Sequence, residues 1–475
     1  MNLNDGAPPA ATSVREAFQV QREACDRAPG LAREQREHAL QGLESLLRDN
    51  ADAFCAAVDR DFGGRSPAET RLLEIFPAIE ALRHARRNLG SWMRPRRART
   101  NFWFLPGRSR VMPQPLGVVG IVVPWNYPIY LAVGPLASAL AAGNRAMVKM
   151  SEVAPATGEL LQRLVAQRFS PEVLAVVNGG PEVARDFVAL PFDHLLFTGS
   201  TAVGREVMRA AAANLTPVTL ELGGKSPAIV GRGMEVAEAA DRILFGKCLN
   251  AGQTCVAPDY VLVPEERVEG FVAAARAAVQ RMYPKLRDTS DYTAIVNARH
   301  RERLASVLAE AASRGATVVS LAPGGHALDG SPKLAPALVL GAPDDTRLMR
   351  EEIFGPILPV VPYRTLDEAI GYVNARPRPL ALYVFDHDRA SVARVLAQTV
   401  SGGACVNETL LQLGQDDLPF GGVGPSGMGE YHGRSGFETF SKRKSVFYQS
   451  RLNGLKLLRP PYGARFEALV RWLVR

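Results

Sequence analysis

The 475-residue chain is short of cysteine, histidine and long apolar runs, and each shortage excludes a class of protein. Its five cysteines (Cys25, Cys55, Cys248, Cys255, Cys405) are odd in number and form no close C-x-x-C pair. That argues against a disulfide framework and a zinc knuckle, so no metal site is expected. No segment reaches the roughly 18 consecutive apolar residues of a membrane span. Met1 to Thr12 lacks the basic start and apolar core of a secretory signal. A reducing, cytoplasmic setting is the expectation.

What is present is ordinary globular composition, 47% hydrophobic and 22% charged, in a chain long enough for two or three domains. The net charge of +8 comes largely from scattered arginines, as in Arg94-Pro95-Arg96-Arg97-Ala98-Arg99. Plain solubility explains it more simply than an anionic partner. Nucleic-acid binding would rest on charge alone, with no recognised module, and is not expected.

Residues 14 to 93 are rich in Ala, Leu, Glu and Arg and are predicted helical, with a break near Asp61-Phe62-Gly63-Gly64. From Leu116 the texture changes. Val118 to Val123 is a continuous apolar run, the mark of a strand buried on both faces, and similar runs recur at 146–149, 173–177 and 194–198. Ala-rich helical stretches lie near 131–142, 157–168, 181–189 and 203–213. Strands alternating with helices predict an α/β fold with parallel sheets. A second series follows a break near Glu221 to Lys225, with apolar segments at 228–230, 316–321, 357–361, 380–385 and 402–406 and helices near 235–246 and 266–282. The Gly/Pro-rich stretch 322–333 reads as a surface loop.

Two segments carry the chemistry: Leu220-Glu221-Leu222-Gly223-Gly224-Lys225 and Asn250-Ala251-Gly252-Gln253-Thr254-Cys255, with the carboxylate and the thiol 34 positions apart. A thiol that attacks a carbonyl gives a tetrahedral oxyanion and then a thioester, whose hydrolysis needs the activated water a carboxylate can supply. The turn-prone Gly252-Gln253-Thr254 is expected to leave a helix end at Cys255, which would lower its pKa. Cys25, Cys55 and Cys405 read as small buried hydrophobes, and Cys248 as filler rather than a redox partner.

Three other segments remain open on their residues alone. Phe197-Thr198-Gly199-Ser200-Thr201-Ala202-Val203-Gly204 follows a predicted strand and opens a predicted helix, so it is either a phosphate cradle or a Gly-bounded turn. It is neither G-x-G-x-x-G nor a Walker loop. Asn126, in Pro124-Trp125-Asn126-Tyr127-Pro128, is an oxyanion donor or a turn residue. Lys149 and Glu152 are ribose ligands or a surface ion pair.

Together with Glu351-Glu352-Ile353-Phe354-Gly355-Pro356, these segments occur in the order and spacing of the aldehyde dehydrogenase superfamily, which the chain resembles from about residue 15 to 450. The Tyr in Pro-Trp-Asn-Tyr-Pro and Ala257-Pro258-Asp259-Tyr260 resemble the class 3 branch. The stretches 375–383 and 420–429 are similar to bacterial coniferyl aldehyde dehydrogenases.

The resemblance implies a Rossmann-type NAD(P)-binding domain (1–99 and 116–221) and an α/β catalytic domain (222–415). It also implies small β oligomerisation elements (100–115 and 416–450), including a hairpin over Thr100 to Pro115 and a late strand near 437–449 that joins a homodimer. A basic amphipathic tail spans 451–475, with six Lys/Arg against Glu467. Packing on the protein is favoured for it over membrane contact.

By the same resemblance Cys255 would be the nucleophile, Asn126 and the Cys255 N–H would hold the oxyanion, and Glu221 would activate water. Lys149 and Glu152 would bind the adenosine ribose, and Ser200 with Gly199 to Gly204 the pyrophosphate region. Glu352 would hold the nicotinamide ribose, and Phe354, with Trp125 and Leu222, would flank the cofactor. Glu152 would accept a hydrogen bond from a ribose 2′-hydroxyl and repel a 2′-phosphate, so NAD is preferred and NADP tolerated. Met150, where Pro is usual, departs from the class 3 pattern and bears on the loop presenting Glu152.

The implied reaction is oxidation of an aromatic, coniferyl-like, or a medium- to long-chain aldehyde to its acid. A CoA-acylating enzyme is the nearest alternative, and Glu221 argues against it. A non-catalytic NAD-binding relative is more remote.

Overall fold

In the computed structural model, which describes residues 13–325, 328, 330–454 and 458–474, the helical lead-in resolves into Val14–Arg27, Arg33–Asp49, Ala51–Phe62 and Phe76–Trp92. Between the last two lie a short helix, Pro67–Thr70, and a π-helical turn, Arg71–Ile75. The break near Asp61 is caused by Gly63, which ends the third helix at φ 62°, a left-handed conformation that a side chain disfavours. Met1 to Thr12 lies outside the described residues.

Two largely parallel sheets form the body. The first runs in the order Gly427–Met428, Val218–Glu221, His194–Thr198, Val118–Val122, Arg145–Lys149, Leu174–Val177. All neighbours are parallel except the two-residue Gly427–Met428, which pairs antiparallel with Leu220 and Glu221. The strands His194–Thr198 and Arg145–Lys149 are buried throughout, as expected where helices cover both faces. The helix Tyr130–Ala142, buried at twelve of its thirteen positions, packs on this sheet and explains its nearly all-apolar sequence.

The second sheet runs Thr317–Ser320, Ala337–Leu340, Ile357–Tyr363, Tyr260–Pro264, Pro227–Val230, Ala381–Phe385, Gly403–Val406. Only its first strand is antiparallel. Tyr260–Pro264 and Ala337–Leu340 are strands that the sequence reading misses, as are the helices Ala298–Ser313, Leu366–Asn374 and Arg389–Gln398. The chain passes from one sheet to the other between Glu221 and Pro227, at the expected break.

The third sheet differs in detail from expectation. It consists of Arg96–Ala98, Arg108–Pro115 and Ser441–Tyr448, all antiparallel. The hairpin therefore begins at Arg96 rather than Thr100, with Phe102–Phe104 as a 3₁₀ turn at its tip. The unit expected to end at residue 99 gives up its last strand to this sheet. The late strand starts at Ser441 because Gly433–Thr439 is helical. Within 416–450, Gly427–Met428 joins the first sheet beside Glu221.

The stretch 322–333 contains a short 3₁₀ turn, Pro323–Gly325, while 326, 327 and 329 lie outside the described residues. In the tail, 455–457 and 475 are likewise outside, and Ala464–Leu473 is the expected helix. Its Trp472 packs edge-on against Trp103 of the hairpin tip, ring centroids 5.4 Å apart. Among the described residues no helix is long and apolar enough to cross a membrane. No group of His, Cys, Asp and Glu among them could hold a metal ion.

Candidate active site

Beyond the carboxyl ends of the first sheet's strands, where open α/β sheets place ligands, a cavity of about 220 Å³ is lined by Asn126, Glu221, Cys255 and Glu352. Trp125, Gly199, Ser200, Leu222 and Phe354 also face it. Five chain segments, distant in sequence, thus meet in one cleft.

Cys255 lies in a turn, not at a helix N-terminus, which corrects the sequence expectation. The approach is a short 3₁₀ segment, Leu249–Gly252, bent by Asn250 and Ala251, both at φ 50°. Left-handed backbone at two non-glycine residues is strain that the surroundings must hold, and it aims the thiol into the cleft. The sulfur is partly open to the cleft but otherwise enclosed. Burial, with the charges of Glu352 and Glu221, pushes its pKa up to about 12, against the pull of the Cys255 and Val256 N–H groups. Cys25, Cys55 and Cys248 are buried as expected, whereas Cys405 is only half-buried, on the edge strand.

The Asn126 side chain is buried and tied to the nucleophile loop. Its Nδ2 donates to the Gln253 carbonyl at 3.1 Å, and Asn250 Nδ2 donates to the Asn126 carbonyl at 3.0 Å. Each amide nitrogen carries two protons, so one N–H of Asn126 remains for a ligand.

Glu221 ends its strand almost fully buried, and neither carboxylate oxygen has a hydrogen-bond partner. Burial, and then the charge of Glu430, raises its pKa well above the usual carboxylate range. Glu352 accepts from the Gly224 N–H, while its Oε1 is unpartnered, and burial next to Asp259 raises its pKa to about 8. A Cβ on Gly223 would come within 2.0 Å of a Glu352 oxygen, so only glycine allows this carboxylate its place.

The groups of the same cleft suit the phosphate and ribose of a dinucleotide. Helix Thr201–Ala212 starts there, with Ser200 Oγ accepting from the Val203 N–H and the Thr201 and Ala202 amides free for an anion. Thr198 Oγ1 and Glu352 Oε1 are buried and without partners, as ligand-facing groups are. Gly204 does not line the cavity. It sits one turn into the helix, where a Cβ would meet Leu222 at 2.6 Å, so its smallness serves close helix–strand packing.

Lys149 is not half of a surface ion pair. Its Nζ is buried and donates to the Met150 and Gly179 carbonyls at 2.6 and 2.7 Å, and burial lowers its pKa. Glu152 is exposed on the loop that follows, and both lie outside the cavity. Met150 is fully buried under this loop and in tight register with Gly158, so it anchors the loop.

Sequence reading missed His300 and Arg303, which line the cavity from one face of the helix Ala298–Ser313. The His300 ring lies 4.9 Å from that of Trp125, which also meets Phe354 at 5.4 Å, and burial, with the neighbouring Arg303 and Arg299, lowers the imidazole's pKa. Arg303 donates to the Ile353 carbonyl beside Glu352. Their i, i+3 spacing was the available signal, but it carries no meaning until the helix is placed against the cleft.

The sequence profile of the aldehyde dehydrogenase family matches residues 7–446. A probable coniferyl aldehyde dehydrogenase of Pseudomonas aeruginosa is 54% identical over 92% of this chain and 91% of its own. The substrate-bound structure of Staphylococcus aureus AldH is similar at a TM-score of 0.91 and 36% identity, covering 97% of this chain and 99% of that one. The Mycobacterium tuberculosis aldehyde dehydrogenase complexed with NAD+ is similar at 0.83 and 30% identity, covering 94% and 91%.

Proposed function

The chain belongs to the aldehyde dehydrogenase family, and on that premise we propose that it oxidises an aldehyde to a carboxylic acid through a thioester on Cys255, with NAD preferred and NADP accepted. The convergence of Cys255, Glu221, Asn126 and Glu352 on one cleft carries the reading.

The thiol is held neutral by burial, so its proton must leave before attack. Glu221, with two unpartnered oxygens, is the group suited to take it. Asn126 Nδ2 and the Cys255 N–H then hold the oxyanion of the tetrahedral adduct. Bound NAD supplies the two-electron acceptor that the oxidation requires. Glu352, Ser200 and the start of the Thr201–Ala212 helix hold it, and Trp125, braced by His300 and Phe354, walls the cleft. Glu221, having passed the thiol's proton on to solvent, next takes a proton from water as that water attacks the thioester; the Cys255 sulfur leaves and is reprotonated as the acid is released.

The substrate is an aromatic, coniferyl-like aldehyde or a medium- to long-chain aliphatic one, the first supported by the coniferyl-type relative. Purified protein given NAD and coniferyl aldehyde should form NADH and the acid in equal amounts, with no acyl-CoA when CoA is added. Benzaldehyde and straight-chain aldehydes rank the class by kcat/KM. NAD binding without NADH formation across the panel, or acyl-CoA as the main product, would sink the proposal.

We assign the first sheet to the cofactor and the second to catalysis. The free edges of the three-stranded sheet are assigned to pairing in a homodimer in the cytoplasm. The tail helix, with Trp472 engaged by Trp103, is assigned to packing rather than to a membrane.

Glu152 is the group set to discriminate cofactors. Glu152→Gln should raise the NADP-to-NAD ratio of kcat/KM about tenfold, by removing repulsion of a 2′-phosphate worth about 1.4 kcal/mol. Paired saturation curves for the two cofactors measure it, and an unchanged ratio would place the ribose elsewhere.

A further inference from the structure

We propose that Arg65 is a positioning residue for the reaction: with Glu74 it clamps the turn 126–130 and so sets where the Asn126 side-chain amide points. The proposal rests on the reading of Asn126 as the oxyanion donor.

Arg65 follows the Gly63-Gly64 break, and its side chain has no exposed surface. Its Nη1 donates to the Asn126 carbonyl at 2.8 Å. The guanidinium lies between two rings, 4.8 Å from the centroid of Phe62 and 4.9 Å from that of Tyr127. Its Nη2 faces Glu74 Oε1 at 3.5 Å. Glu74 sits on the π-helical turn, and its other oxygen accepts from the Ile129 and Tyr130 N–H groups at 2.7 and 3.4 Å. One ion pair thus grips both ends of the turn, the carbonyl of Asn126 and the amides where the next helix begins.

The far side of the turn is tied to the nucleophile loop. Asn126 Nδ2 donates to the Gln253 carbonyl, Tyr127 and Thr254 share a hydroxyl bond of 2.7 Å, and Asn250 Nδ2 joins Arg65 on the Asn126 carbonyl. Glu69, from the helix between Arg65 and Glu74, accepts from the Asn250 N–H at 3.0 Å and from Thr293 at 2.8 Å. That contact holds the left-handed bend at Asn250 from beneath. The oxyanion donor and the thiol are therefore held in register by a buried polar frame in which Arg65 is the cation facing Glu74.

Such a frame is a poor device for stability, since a buried ion pair can often be replaced by apolar groups without loss. It is a good one for geometry. The guanidinium is planar and forked, and cation–π contact with two rings holds it in place. A displacement of about 1 Å at a reacting group costs on the order of 10²-fold in rate.

The test compares Arg65→Met, Arg65→Lys and the double variant Arg65→Met/Glu74→Gln, the last removing both charges so that no buried carboxylate is left unpaired. Each is made in the native chain and in an Asn126→Ala background. The readouts are kcat, KM for both substrates, NAD affinity and thermal midpoint. All three variants should lower kcat about 10- to 10²-fold with KM for NAD unchanged, lysine failing to rescue because it lacks the planar fork. In the Asn126→Ala background the same changes should cost less than about twofold, since the group being positioned is gone.

A full multiplicative loss in that background would overturn the proposal and make Arg65 a general scaffold residue. So would a kcat within about twofold of native for the folded double variant. If Asn126→Ala itself leaves kcat unchanged, the oxyanion reading fails and the proposal with it. An impaired Asn126→Ala beside an unimpaired Arg65→Met defeats the clamp alone.

Discussion

Cys255→Ala should lower NADH formation by about 10⁴-fold or more, because nothing else in the cleft can form the covalent adduct. NAD binding should persist. The groups assigned to the cofactor, Ser200, Glu352 and the start of the helix Thr201–Ala212, belong to other segments and do not depend on the sulfur. Alanine fits where the thiol was, so the fold should be retained. Substantial residual dehydrogenase activity, or NAD binding lost together with activity, would remove Cys255 from its role.

The same sulfur has a pH signature. With its pKa pushed to about 12 in the unliganded protein, its thiolate fraction should rise about tenfold per pH unit across the neutral range. Iodoacetamide labelling should follow that slope. Removing Glu352 or Glu221, whose charges oppose the thiolate, should speed labelling at a given pH. A thiol at a helix N-terminus would instead react readily near neutrality and flatten early, so the slope distinguishes the observed turn from the arrangement expected on sequence grounds.

That contrast shows where sequence reasoning reaches its limit. Val118 to Val122, Arg145 to Lys149 and His194 to Thr198 are legible because burial on both faces leaves continuous apolar runs. Glu221 and Cys255 are legible because carboxylate and thiol stand among glycines in short segments with chemical meaning. Tyr260–Pro264 is just as apolar and wholly buried. It is overlooked because it directly follows the segment 250–259, which draws the reading to chemistry rather than to strand.

The bend before Cys255 is illegible for another reason. Asn250 and Ala251 hold φ 50° only because Glu69, Asn126 and Gln253 grip the loop from elsewhere in the fold. The pairing of Arg108–Pro115 with Ser441–Tyr448 joins segments more than 300 residues apart, and no local pattern encodes that register. His300 and Arg303 are hidden likewise, an ordinary helical pair until the helix lies against Trp125 and Ile353.

Glu221→Gln should separate the two halves of the reaction. The amide keeps the side chain's volume but cannot take a proton from water, and loss of a general base costs about 10²- to 10⁴-fold. A first turnover should still yield a burst of NADH in stopped-flow, one equivalent per active site, before steady turnover falls by that factor. The burst requires that Cys255 can also lose its proton to another acceptor, and Glu352, with an unpartnered Oε1, is available. A lost burst with unaltered deacylation would confine Glu221 to the thiol proton and remove it from the hydrolysis.

The raised pKa of Glu221 also sets a sign. Its carboxyl is neutral at low pH and becomes a base only as pH climbs through the raised value, so native steady turnover should rise with pH there. The variant should lack that limb. Stability runs in the opposite sense. A carboxyl whose folded pKa is raised contributes stability that is fully present below the ordinary carboxylate range and is lost as pH rises through the folded value. Thermal midpoints of the apo protein should therefore fall with rising pH less steeply in Glu221→Gln than in the native chain. Equal slopes would mean that the carboxylate is solvated or paired when ionised, and that the isolation on which its reactivity depends is absent.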